Sequence, residues 1–429
     1  MASVMDKPRV AAVGRPPREQ PTRLERWLRQ LILHRLGALR SGRLVIRDAL
    51  GEIELGSGDE TLRIEVTRTR FYRRLALGGS LAAGAAYIDG DWDCDDLSGL
   101  FRLFLRGMPS GYELERGPVR VALALLRAGQ RLRPNSLRGS RRNVREHYDL
   151  GNAFFRSFLD HSLTYSAAVF DPPAATLEQA QTAKLDRICR KLALGPDHHV
   201  LEIGCGWGSF ALHAARHYGC RVTATTISAE QCALARRRVA DAGLSDRIEI
   251  QQRDYRELSG RYDRIVSIEM IEAVGHEHLG TFFRTCGDRL VHDGRMLLQV
   301  ITTSDTYYET YRRSVDFIQR YVFPGGLCPA PMALARAVGR NSDLRVTHLE
   351  DLTGDYAQTL RHWRARFAQR TGDILALGYP ERFLRLWDFY LQYCEAGFAE
   401  RHIGTVQMVL ARPGDRSPPV RPELGQAVP

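Results

Sequence analysis

Two stretches of this 429-residue chain have the residue types and spacing that chemistry needs. The first is Val200-Leu201-Glu202-Ile203-Gly204-Cys205-Gly206-Trp207-Gly208, where a mostly apolar run suited to a buried strand enters a Gly-x-Gly-x-Gly turn ahead of a helical pattern. Glycine at 204 and 206 lets the backbone turn sharply and approach a ligand with no Cβ in the way. The helix start beyond it offers unpaired N–H groups. The turn alone is ambiguous, since dinucleotide enzymes use a similar one; Glu202, an acid two residues before the first glycine, narrows the reading. The second stretch is Glu269-Met270-Ile271-Glu272-Ala273-Val274-Gly275. Two carboxylates three residues apart, just beyond an apolar strand pattern, are costly to bury without partners. They either cap the next helix or act on a substrate, and their place in the pattern favours the second.

The elements that must position these groups alternate. A helix with Leu177, Ala180, Leu185, Ile188 and Leu192 on its apolar side ends at Gly195-Pro196. Strand 200–203, helix 207–218, strand 221–227, helix 229–242, strand 248–252, strand 263–268, helix 278–291 and strand 295–301 follow. This rhythm predicts an α/β fold with a doubly wound parallel sheet, whose ligands bind at the C-terminal strand ends. Further groups fall there. Thr226 and Gln231 follow the second strand and can bond ribose hydroxyls; Asp254 and Tyr255 follow the third and suit an adenine amino group and ring face. After an insertion at 304–330, a helix (331–341), strands 344–349 and 406–411, and helices near 357–371 and 381–399 complete the pattern. The direction of the last strand is left open.

The net charge of +11 is carried almost entirely by Arg, the lysines being Lys7, Lys184 and Lys191. Such a balance suits an anionic partner, either nucleic acid or an anionic membrane. The eight Cys form no C-x-x-C pair, which predicts reduced core thiols and no metal site. No run of 18 apolar residues exists and the N-terminus has no apolar h-region, so a cytoplasmic protein touching the membrane only peripherally is expected. The predicted organisation is a disordered tail (1–20), a small N-terminal α+β accessory domain (21–130), a basic linker (131–145), a catalytic domain (146–412) and a disordered tail (413–429). In the accessory domain, 23–39 reads as a basic amphipathic helix, 44–46 and 62–66 as strands, Gly51 and Gly56-Ser57-Gly58 as turns, and 97–105 and 119–126 as helices.

Glu202 ahead of the glycines matches the pattern of class I S-adenosylmethionine (SAM) methyltransferases, and a larger ordered set of motifs goes further. His147-Tyr148-Asp149-Leu150-Gly151-Asn152, Leu163-Thr164-Tyr165-Ser166, Leu201–Gly208, Thr226-Ile227-Ser228-Ala229-Glu230-Gln231, Asp263–Ile268, Ile271–Gly275, Phe323-Pro324-Gly325-Gly326 and Tyr356–Leu360 occur in order over about 140–412. Together they resemble the cyclopropane-fatty-acyl-phospholipid synthase family, related to the mycolic acid cyclopropane synthases. Ala85–Trp92 resembles the N-terminal domain of the bacterial synthases. The resemblance implies a Rossmann-like class I methyltransferase fold and SAM held by Tyr165, Ser166, Glu202, Gly204, Gly206, Thr226, Gln231, Asp254, Tyr255 and Glu269.

It also implies transfer of the SAM methyl group to the cis double bond of an unsaturated phospholipid acyl chain, leaving a carbocation from which a base removes a proton to close a cyclopropane. In that family the base is a bicarbonate ion, held by a Glu, a Tyr, a His, a Cys and a backbone amide at an Ile. By motif the Glu is Glu272, the Tyr is Tyr356 and the Ile is Ile301. The Cys position is Ala167 and the His position is Gln299, so a bicarbonate ion here loses one side-chain donor outright. The same cation can instead undergo a hydride shift and give a methylene branch, which a separate reductase would saturate. No nucleic-acid partner is expected: an RNA methyltransferase is the rival for a basic SAM enzyme, but the chain has no recognisable RNA-binding module. A homodimer is left open.

Overall fold

The computed structural model describes residues 20–37, 39, 41–107 and 150–420. The linker at 131–145, the helix expected at 119–126 and the outer parts of both tails lie outside the described residues. Helix α1 (Arg23–Leu36) starts on a capping box between Thr22 and Glu25 and buries Leu28, Ile32 and Leu36. Strands β1 (Gly42–Asp48) and β2 (Gly51–Ser57) form a hairpin; β3 (Thr61–Val66) runs parallel to β1, and β4 (Trp92–Cys94) antiparallel to β3. The glycines expected as turns bound β2, whose Glu52, Ile53, Glu54 and Leu55 alternate too weakly to announce a strand. Helix α2 (Arg70–Ile88) continues through Gly78-Gly79 with its break confined to Gly79, at φ 57° and ψ −145°. Only glycine tolerates that conformation cheaply. Helix α3 (Leu97–Gly107) follows.

The second unit holds α4 (Gly151–Arg156), α5 (Leu177–Lys191), β5 (His199–Ile203), α6 (Ser209–Tyr218), β6 (Arg221–Thr226), α7 (Ala229–Asp241), β7 (Ile248–Gln252), β8 (Tyr262–Ile268), α8 (Leu279–Arg289) and β9 (Leu290–Thr303). Then come α9 (Asp305–Tyr311), α10 (Phe317–Tyr321), α11 (Pro331–Asn341), β10 (Arg345–Asp351), α12 (Thr353–Gln369), α13 (Thr371–Ala376), α14 (Glu381–Ala399) and β11 (Ile403–Ala411). The sheet order is β10-β11-β9-β8-β5-β6-β7. Strands β5 to β9 pair in parallel, while β11 lies antiparallel to β9 and to β10. This is the doubly wound sheet expected, with its last strand reversed. Strand β9 begins five residues earlier than its apolar pattern, because exposed His292 and Asp293 hide its start.

The two units share one apolar core, in which Leu28, Ile64 and Trp92 join Phe154, Trp363 and Trp387. Helix α14 is the connecting member. Arg385 donates from Nε to Tyr87 C=O (2.7 Å) and from Nη2 to Trp92 C=O (3.0 Å), and the Phe389 ring lies 5.0 Å from Phe101. The C-terminal segment expected as disordered is held in its first part. Buried Arg295 on β9 pairs with Asp415 (2.8 Å) and donates to the Ser417 and Pro418 carbonyls. A buried guanidinium needs such acceptors.

Candidate active site

Gly204, Gly206 and Gly208 all take positive φ, at 85°, 52° and 83°. The N–H groups of Gly204 and Cys205 donate to Thr225 C=O at 3.0 and 2.8 Å, which ties the turn to β6. A Cβ at Gly206 would meet no atom within 4 Å and would stand in the cavity, whereas one at Gly204 would collide with Met270 Cγ at 2.5 Å. Beneath the turn, burial pushes the Glu202 carboxyl up to about 8, against the pull of Lys184. Thr226 Oγ1 donates to Gln231 Oε1 at 2.8 Å and so fixes that amide. Asp254, expected at an adenine amino group, is held by Arg256 through Nε–Oδ1 (2.8 Å) and Nη2–Oδ2 (2.7 Å). Tyr165 hydrogen-bonds Tyr390 through the two hydroxyls at 2.9 Å. Glu202 Oε2 and Tyr255 OH are buried without a partner among the described residues. Room at Gly206 and orphaned polar atoms in the wall fit SAM.

At the ends of β8 and β9 the second group assembles. Glu269 Oε1 accepts from Ala167 N–H (2.9 Å) and Gln299 Nε2 (2.9 Å), and Glu269 Oε2 accepts from Tyr356 OH (2.7 Å). Glu272 Oε1 accepts from Ile301 N–H at 2.6 Å, and its Oε2 has no partner among the described residues. Burial raises the pKa of Glu269, held back by its donors. Burial and then the neighbouring charge of Glu269 push Glu272 up to about 8. Two neighbouring buried acids disfavour double ionisation, and the three donors to Glu269 favour the charge on that side of the pair. Tyr356, raised well above its ordinary value by burial and then by Glu269, stays a donor. Glu269, expected among the cofactor contacts, thus stands with Ala167, Gln299 and Tyr356.

The glycine turn and, from the second group, Glu269, Glu272, Ile301 and Tyr356 line one cavity of about 740 Å³. Its other end is apolar and reaches the first unit, where Ile32, Ile46, Ile64, Phe71 and Phe101 line it. The 304–330 insertion forms a further wall through Tyr311, Phe317 and Phe323. Three site residues were not singled out from sequence. Lys184 donates to Ser166 Oγ at 2.8 Å and faces Glu269, Asp160 and Glu202; burial brings it down to about 8. Lys191 donates to Gln407 Oε1 (2.6 Å), and Gln407 Nε2 donates to Gln299 Oε1 (2.9 Å). A usable signal existed: in a chain that uses Arg almost throughout, two of the three lysines sit seven apart on α5, on one helical face.

A seven-stranded sheet with a reversed last strand, a Gly-rich turn after its first strand and carboxylates after its fourth defines a class I SAM-dependent methyltransferase. A family profile described as mycolic acid cyclopropane synthetase matches residues 135–408, and the chain belongs to that family. It is 36% identical over 350 residues to the tuberculostearic acid methyltransferase UfaA1 of Mycobacterium tuberculosis, covering 80% of this chain and 81% of that protein. It is 37% identical over 360 residues to the cyclopropane-fatty-acyl-phospholipid synthase of Escherichia coli, covering 83% and 89%. Among solved structures, mycolic acid cyclopropane synthase CmaA1 complexed with SAH and CTAB superposes with a TM-score of 0.60 at 33% identity, over 63% of this chain and 98% of that one. The protein is a SAM-dependent lipid-modifying enzyme. No described helix is long and apolar enough to cross a membrane.

Proposed function

We propose that this enzyme transfers the SAM methyl group to the cis double bond of an unsaturated phospholipid acyl chain and closes it into a cyclopropane. The observation that carries the reading is the single cavity in which the glycine turn, the paired carboxylates and an apolar end meet. SAM, when bound, supplies an electrophilic methyl group on a sulfonium. An alkene is a weak nucleophile, so the protein must hold it dry and in line. Phe101, Phe317 and Phe389 supply the dry wall, and Tyr165, Tyr356 and Tyr390 turn aromatic surface towards the same cavity. Aromatic faces and a carboxylate both stabilise the cation that attack leaves. On this reading the accessory unit receives the acyl chain and residues 146–412 carry the chemistry.

The near-equal identity to a tuberculostearic acid methyltransferase supports a second reading, the same transfer ending in a methylene branch for a separate reductase. In either case the acyl chain comes from a membrane. Helix α1 exposes Leu24 (55%) and Trp27 (60%) beside exposed Arg23 and Arg26, while Ile32 and Leu36 of the same helix line the cavity. We place the contact with anionic lipid there. The test uses purified enzyme, methyl-labelled SAM and phosphatidylglycerol vesicles with either monounsaturated or saturated chains. Label should enter the acyl chains of the unsaturated lipid only; incorporation into the saturated lipid or a headgroup would refute the reading.

A further inference from the structure

We propose that the Glu269 carboxylate is itself the base that takes the proton from the new methyl group, so that this enzyme closes the ring without bicarbonate. The assignment rests on the reaction proposed above. The first observation is the donor set. Of the five positions that the family resemblance gives to bicarbonate, four already address a protein carboxylate and the fifth is the carboxylate of Glu272. Ala167 N–H, Gln299 Nε2 and Tyr356 OH reach Glu269 at 2.9, 2.9 and 2.7 Å, and Ile301 N–H reaches Glu272 at 2.6 Å. A bicarbonate ion does not fit this arrangement. Its donors are taken, and the negative charge of the Glu269–Glu272 pair would repel it.

The second observation is polarity along a buried chain. Lys191 can only donate, and it donates to Gln407, whose amide donates to Gln299, whose amide donates to Glu269. A donor-only ammonium at one end fixes the orientation of both amides, so Glu269 is the acceptor at the other. The replacement of the family His by Gln thus has a physical counterpart, because the amide relays this polarity from β11 to the carboxylate. The third observation is backbone strain. Glu269 sits at φ 48°, in the left-handed region, with its N–H donating to Gln299 C=O at 2.8 Å. A glutamate there is strained, and such strain persists only where the surroundings over-determine it.

The step balances. The alkene π pair forms the bond to the methyl carbon while the S–C pair returns to sulfur, leaving a cation on the neighbouring alkene carbon. Glu269 then takes a proton from the new methyl group, and the released C–H pair closes the three-membered ring onto the cationic carbon. The proton stays on Glu269 until product leaves.

The test measures turnover on monounsaturated phosphatidylglycerol vesicles in CO2-purged buffer, with and without added bicarbonate. Wild-type turnover should be the same in both. Glu269→Gly should fold, since glycine suits this φ, and should bind SAM but lose about 10²-fold or more in turnover. Formate or bicarbonate should restore about tenfold of that loss by entering the vacated donor set. Glu269→Gln, the isosteric variant, should be equally impaired with SAM affinity intact. Wild-type turnover that collapses on bicarbonate removal and returns on its addition overturns the assignment while leaving the reaction standing. So does either Glu269 variant at wild-type turnover. Failure of the wild type to modify the lipid under any condition overturns the reaction, and the assignment with it.

Discussion

At the carboxylate end of the cavity each group is held by a named donor: Glu269 by three, Glu272 by the Ile301 amide, Gln299 by Gln407. At the other end Ile46, Ile64, Phe71 and Phe101 offer only shape. The contrast separates two tasks. Directed polar groups inside a low-dielectric site stabilise developing charge with no reorganisation, whereas an apolar wall binds by area and tolerates exchange of one hydrophobe for another. Substitutions at the first end should therefore act on kcat, and substitutions at the second on KM for lipid.

The sharpest break lies just outside both ends. Gly206→Val should abolish SAM binding by calorimetry, because the branched side chain would stand in open cavity at a φ of 52° that valine rarely adopts. A folded variant with unchanged SAM affinity would put the cofactor elsewhere. Next, Tyr356→Phe removes one of the three donors to Glu269 and should cost about tenfold in kcat, near 1.4 kcal/mol, with KM for lipid nearly unchanged. A change confined to KM would merge the two ends into one function.

How much of this was legible differs between the same two regions. The glycine turn, its strand and the two glutamates were readable because their chemistry is local: a strand, a turn and acids within a few residues. Helices 331–341 and 381–399 were readable from periodicity alone. The partners of Glu269 were not. Ala167, Gln299 and Tyr356 come from three distant segments, and no spacing along the chain reports that a carboxylate just beyond β8 will meet them. The resemblance gave those positions to a bound ion, whereas a glutamate three residues from the expected one lies among them. Strand β2 and the ordered start of the C-terminal segment were hidden for a simpler reason. Their stability comes from tertiary partners, β1 in one case and buried Arg295 in the other.

A pH experiment sharpens the carboxylate end. Glu272 is raised from 4.5 to about 8 in the folded protein, so its acid form stabilises the fold below about 4.5 and that contribution is lost as pH rises through about 8. Glu272→Gln lacks this loss. The thermal stability of the variant relative to wild type should therefore grow from pH 5 to pH 8, and a difference independent of pH would mean that Glu272 is ionised throughout. At the apolar end the effects are smaller. Phe101→Ala should raise KM for lipid severalfold with kcat kept, and Trp27→Ser should weaken sedimentation with anionic vesicles by a few-fold at low salt. Raised salt should weaken the wild-type binding too.

On the proposed reaction, the cation left by methyl transfer is closed to a ring at the carboxylate end. Proton and deuterium NMR of the lipid product, made with SAM bearing a deuterated methyl group, tests this most directly. The product should be a cyclopropane methylene that carries the label with one deuteron of the methyl lost. A labelled terminal alkene methylene, or an intact deuterated methyl branch, would contradict it.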